Sequence, residues 1–193
     1  MPAPHPKGQA ARPLWNALKR LDPSVECEKT FDWLFVPGPD QRMRHESEVH
    51  AALVEHCRTT RTTHPKKSNC NCDGLYAMTP IGRARTLEFD FFLPQSGVAI
   101  EFDERQHFTK ERRLTLNFYA TDFPFDVERW KLLCSDRIVD PVPPCRDWQR
   151  AFRDTIRDFR AKAHGVKLLR IYYQDFNGAS EHARSALIQT IVQ

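Results

Sequence analysis

The chain has no run of 18 apolar residues, so no helix crossing a bilayer is expected. Its opening stretch, MPAPHPKGQAARPLWNALKR, has no continuous apolar core and so lacks the pattern of a secretory leader. No internal repeat is visible. The first 20 residues hold no acid, only the bases Lys7, Arg12, Lys19 and Arg20 beside His5. Six cysteines without an export signal point to reduced thiols or a metal site, not a disulfide framework. A cytoplasmic protein is the expectation.

What is present suits one domain with an appended arm. The arm is read as residues 1–24, rich in Pro and Ala and carrying a short helix, and the domain as residues 25–193. Hydrophobic content of 40%, with 13 Phe and 4 Trp, can fill a core. Net charge is +4, and after the four bases of the opening stretch 25 basic residues face 25 acidic ones. A basic arm on a balanced chain is compatible with nucleic acid without requiring it.

The most informative segment is LEFDFFLPQSGVAIEFDERQHF, Leu87 to Phe108. It reads as two adjacent strands that alternate apolar residues with carboxylates. Glu88, Asp90, Glu101 and Asp103 fall at period-2 spacing, so on each strand the acids share a face. Pro94 and Gly97 supply the tight connection. Carboxylates gathered in this way repel one another, and a divalent cation relieves the repulsion. Oxygen donors suit Mg²⁺ or Mn²⁺. Gln106 and His107 follow, a polar side chain and a proton-transfer candidate. The same alternation also describes a half-exposed hairpin with a solvated outer face.

The remaining pattern predicts a helix over Leu14–Leu21 and a strand over Val25–Val36. PGPD forms a turn, and a helix follows over His45–Cys57. A polar basic loop spans 57–73, and Tyr76–Thr79 is a short strand. Beyond the hairpin, helices are expected over Thr109–Tyr119, Phe125–Ser135 and Arg146–His164. The last of these turns Trp148, Ala151, Phe152, Ile156 and Phe159 inward and stops at Gly165. VKLLRIYY, Val166 to Tyr173, reads as a central buried strand, and a helix runs from Ser180 to Val192. The fold class is therefore α/β, with a small mixed sheet between helices.

This order resembles the PD-(D/E)XK nuclease superfamily, and the resemblance implies a restriction-endonuclease-like core. Asp90 in FDFFLP matches the family's first acid and Glu101 in IEFD its second; Asp103 stands where the family usually has Lys. An acid there with a following His looks like the branch of very-short-patch mismatch-repair endonucleases and related phage homing enzymes. That branch often shows IEYDGxQH; here it is IEFDERQH, with Glu104 where Gly is common. FDVERWKLLC followed by GVKLLRIYY, with its Arg-Ile pair, also looks like that branch. The resemblance covers Glu46 to Tyr173.

It implies a metal-dependent DNA endonuclease in a restriction, repair or phage-defence setting. Asp90, Glu101 and Asp103 would bind Mg²⁺ or Mn²⁺, His107 would move a proton, and Gln106 would orient water or phosphate. The family also places an acid on its first helix. Glu46 lies nearer the apolar face than Glu48 and is preferred. Lys110 and Lys131 are candidates for the charge of the missing Lys. Arg58, Arg61, Lys66, Lys67, Arg105, Lys110, Arg112 and Arg113 could form a phosphate track. Cys57, His64, Cys70 and Cys72 could hold a structural Zn²⁺, although their spacing is not that of a zinc finger. DNA is the expected partner, with a homodimer or a larger defence or repair complex compatible. The competing readings are a catalytically inactive nuclease-fold module that binds nucleic acid or a protein, and a zinc-stabilised interaction protein.

Overall fold

A computed structural model describes residues 9–61, 85–139 and 146–192. The chain forms two compact units, each assembled from separated segments. The first comprises Met1–Phe31, Glu88–Glu104 and Ala161–Gln193, and the second Asp32–Leu87 and Arg105–Arg160.

The first unit is built on a mixed sheet. Strand β1 covers Glu26–Phe35, β2 Thr86–Leu93, β3 Val98–Asp103 and β4 Lys167–Tyr172, in the spatial order β1-β2-β3-β4. β2 and β3 pair antiparallel, as the acidic hairpin predicts, and their turn ends at Gly97 with φ +67°. That backbone region strains most residues with a Cβ, so glycine is favoured there. β4 runs parallel to β3, with Ile100 beside Leu169 and Glu101 beside Arg170. A parallel pair needs a long crossover, and the chain between β3 and β4 supplies one. The apolar run of β4 led to the expectation of a central strand, but among the described residues β4 stands at the edge of the sheet.

One face of this sheet is apolar. Phe91, Leu93, Val98, Ile100, Phe102 and Ile171 pack against helix α1 (Arg12–Leu21), α6 (Tyr173–Asn177) and α7 (Glu181–Val192). Leu14, Trp15, Ala17 and Leu18 are the inward stripe of α1, and Trp15 stacks on Phe91 at 5.9 Å. Burying each large side chain contributes roughly 1.5–3 kcal/mol. The helix read as part of an arm is thus integral to the core of its unit. Alternation then directs Asp90, Glu101, Asp103 and Arg170 to the opposite face.

The second unit is mainly helical: α2 (Arg44–Arg61), α3 (Lys110–Leu116), α4 (Val127–Leu133) and most of α5 (Arg146–Ala163). Thr109 caps α3 and Asp126 caps α4, each side chain accepting a backbone N–H of the first turn. Trp148, Ala151, Phe152, Ile156 and Phe159 of α5 are all buried, as the helical spacing predicts. Among the described residues no helix is long and apolar enough to cross a membrane.

Candidate active site

The carboxylates of the first unit stand where the hairpin opens. Backbone pairing of β2 with β3 runs from Leu93–Val98 to Phe91–Ile100. One step further the register sets Asp90 against Glu101, and there side chains take backbone donors. The Asp90 carboxylate accepts the Phe102 N–H at 2.8 Å, and Glu101 accepts the Asp90 N–H at 3.4 Å. Each acid reaches across to the other's strand, which holds the two carboxylates at one point of the sheet. Glu101 is buried and Asp90 half-buried.

Asp103 shares that face but is engaged differently. Its carboxylate accepts from Arg170 Nη1 at 2.6 Å, and both side chains are buried. A cation on this face is Arg170 of β4, a residue to which the sequence reading gave no site role. Parallel pairing of β4 with β3 puts it opposite Glu101, and only knowledge of that register could have located it. Among the described residues no three His, Cys, Asp or Glu side chains converge as a ligand group. Asp90 and Glu101 are the two carboxylates that the crossed bonds bring together and that could donate to a metal. Their hard oxygens suit Mg²⁺, which commonly keeps several waters and takes one or two carboxylates plus phosphate oxygens.

In the second unit, His107 lies on a short 3-10 turn, Arg105–His107. Its Nδ1 is 2.9 Å from Asp154 Oδ2 on α5, and Asp154 is fully buried. A carboxylate at Nδ1 fixes the ring orientation and the tautomer, the arrangement that prepares an imidazole for proton transfer. Asp154 also accepts from Arg157 Nη1 at 3.3 Å, and Arg150 donates to the Gln106 carbonyl at 3.4 Å. Asp154 was not anticipated from the sequence. Its fixed position on α5 carried no local signal that it faces a turn 47 residues earlier.

Other expected site residues have structural partners. Glu46 is fully buried and accepts from Arg160 Nε at 2.7 Å and from the Met43 N–H at 2.9 Å. Arg160 also donates to the Trp33 carbonyl at 2.7 Å and lies over the Phe35 ring. Glu46 is thus a buried anchor between α2 and α5 and a cap for the first turn of α2. Glu48 is half-exposed and pairs with Arg44, which holds its carboxyl below the usual range.

The phosphate track divides in the same way. Arg112 is buried and donates to Asp158 at 2.7 Å, while Tyr119 donates to the same carboxylate at 2.6 Å. It does not face solvent, a correction to the expectation that it meets phosphate. Arg112→Met should cost roughly 3–5 kcal/mol of stability, as breaking one side of a buried ion pair does. The salt dependence of DNA binding should stay as in the wild type. A variant that melts normally but binds DNA with a shallower salt slope would return Arg112 to the track. Arg113 pairs with Asp136, Arg58 lies near Glu55, and Lys131 donates to Glu128. Arg105 is exposed and Lys110 half-buried. The Arg61 side chain and all of Lys66 and Lys67 lie outside the described residues, as does the expected strand Tyr76–Thr79.

The zinc expectation is corrected at one ligand. Cys57, buried on α2, is disulfide-bonded, and its partner lies outside the described residues. A sulfur in a disulfide is not a thiolate and cannot serve as a zinc ligand. His64, Cys70 and Cys72 also lie outside the described residues. Cys27 and Cys134 are free thiols. Burial and the neighbouring Glu28 push the Cys27 thiol up.

Comparison with protein-family models, curated proteins and solved structures found no match.

Proposed function

We propose that the chain is a metal-dependent DNA endonuclease that hydrolyses phosphodiester bonds. The supporting observation is the crossed pair of Asp90 and Glu101 where β2 and β3 part. Here the exchange fixes two carboxylates on one face, backed by the Asp103–Arg170 pair.

Asp90 and Glu101 would hold Mg²⁺ or Mn²⁺. When bound, such an ion lowers the pKa of a water and stabilises charge on the phosphoryl oxygens. Arg170 neutralises Asp103, which limits the repulsion that Glu101 feels from its own strand. His107 belongs to the second unit, where Asp154 orients it as a proton-transfer group of the kind that such hydrolysis uses. Asp154→Asn should slow cleavage by about 10²-fold or more, within the range that general acid–base groups contribute. DNA affinity should not weaken. Unchanged cleavage by this variant would leave His107 with a structural role.

The second reading is a nuclease-fold module that binds nucleic acid or a protein partner without cutting. It is favoured by the ion pairs of Asp103 with Arg170 and of Glu46 with Arg160, which occupy two acids that the family resemblance gives to its site. Mg²⁺-dependent cleavage, present or absent, separates the two.

A further inference from the structure

Helix α5 carries an arginine stripe that the catalytic reading does not use. Arg146, Arg150, Arg153 and Arg157 recur at three- and four-residue spacing, so they follow one another along one side of the helix. Arg85 joins them from the chain ahead of β2, within the same unit. Burial, then Arg85, Arg157 and Arg150 in turn, hold the Arg153 guanidinium down to about 10, while Asp154 acts in the other direction. Like charges at helical spacing are destabilising, and burial aggravates the cost.

The side chains are held in place. Arg153 donates to Gln149 at 3.2 Å, Arg157 to Asp154 at 3.3 Å and Arg150 to the Gln106 carbonyl at 3.4 Å. Arg150 thus meets the 3-10 turn that carries His107, and Arg157 is linked to it through Asp154. Asp154 contacts both Arg157 and His107, which ties the stripe to the imidazole. A crowded, positioned set of planar donors is suited to an anion with several oxygens, and phosphate is matched by guanidinium in both charge and geometry.

We propose that Arg150, Arg153 and Arg157 form a phosphate-gripping subsite for a nucleic-acid backbone, set beside the His107–Asp154 pair. The subsite rests on the nucleic-acid reading above in taking a phosphodiester as its anion. It adds the side of α5 to the phosphate contacts suggested by the sequence.

The test uses the full chain in EDTA, so that no cleavage intervenes. Binding of a labelled duplex oligonucleotide is followed by fluorescence anisotropy across a salt series. The wild type is compared with the double variant Arg150→Gln, Arg153→Gln, which leaves the Arg157–Asp154 contact intact. At about 0.1 M salt the variant should bind roughly tenfold more weakly, and its log–log salt slope should be shallower by about 1.8, near 0.9 for each lost phosphate contact. An unchanged affinity and slope in a variant that melts like the wild type overturns the proposal.

A second measurement needs no variant. Arginine modification of the wild type by p-hydroxyphenylglyoxal is mapped by mass spectrometry with duplex, with inorganic phosphate at the same phosphate concentration, or with neither. Duplex should protect Arg150 and Arg153, and free phosphate should not. Equal modification with and without duplex, or equal protection by free phosphate, contradicts a backbone subsite. Cleavage is scored separately. A wild type whose arginines are protected but which cuts no DNA keeps the subsite and removes the nuclease. A wild type that cuts DNA with these arginines unprotected does the reverse.

Discussion

Asp90→Asn is expected to abolish most metal-dependent cleavage while leaving the fold intact. Asparagine keeps the shape of the side chain and an oxygen able to accept the Phe102 N–H, so the crossed bond at the hairpin opening is retained. What disappears is one negative charge of the donor pair. Metal assistance is worth several kcal/mol of transition-state stabilisation, and each 1.4 kcal/mol is tenfold in rate. A loss of about 10²- to 10³-fold follows, with an unchanged melting temperature. Asp90→Ala is the less informative variant, because it also leaves a backbone donor without its acceptor. Titration with Mn²⁺ should show weaker metal binding by Asp90→Asn. Wild-type rates from Asp90→Asn would mean that the carboxylate serves only as a strand clasp.

Glu46→Ala should act on stability instead. It removes the carboxylate that Arg160 Nε meets at 2.7 Å and leaves a buried guanidinium without its counter-charge. It also takes the acceptor from the Met43 N–H at the start of α2. Breaking one side of a buried ion pair costs roughly 3–5 kcal/mol. The carbonyls of Trp33 and Gln41 still hold the guanidinium, which favours the lower end. In a chain of this size each kcal/mol moves the melting temperature by roughly 2–4 °C, so a fall of about 10 °C is expected. Calorimetry on the variant decides the matter. A Glu46→Ala protein that melts like the wild type but cannot cut DNA would place Glu46 in the catalytic machinery after all.

These two acids mark where the sequence was legible. The Asp90–Glu101 hairpin could be read because strand periodicity is a local signal: alternation assigns each acid to a face, and the turn residues bring the two strands together. The inward face of α5 was legible for the same reason at helical period. The partners of the polar residues were not. Arg160 lies 114 residues from Glu46, Arg170 lies 67 from Asp103, and Asp158 lies 46 from Arg112. Nothing near any of them announces the pairing.

The arginines and aspartates of α5 illustrate the difficulty. Read locally, they are intrahelical pairs on a solvated surface. In the structure Asp154 and Asp158 are buried and turned to His107 and Arg112, and Arg160 to Glu46. The charged residues of α5 are therefore partly core. The edge position of β4 was hidden by its apolar composition. The short helix α6 went unread because a segment of 5 residues is too short to show a helical period. The bond at Cys57 runs against the expectation of reduced thiols or a metal site, which rested on the missing export pattern and not on the cysteines themselves.

The central claim is metal-dependent cleavage of DNA, and incubating the purified wild type with supercoiled plasmid tests it most directly. Parallel reactions contain Mg²⁺, Mn²⁺ or EDTA, with single-stranded and mismatched duplex substrates alongside. Nicking or linearisation with either metal, and none in EDTA, is the expected result. A wild type that binds these substrates but cuts none of them with either metal would contradict the nuclease and leave the binding module.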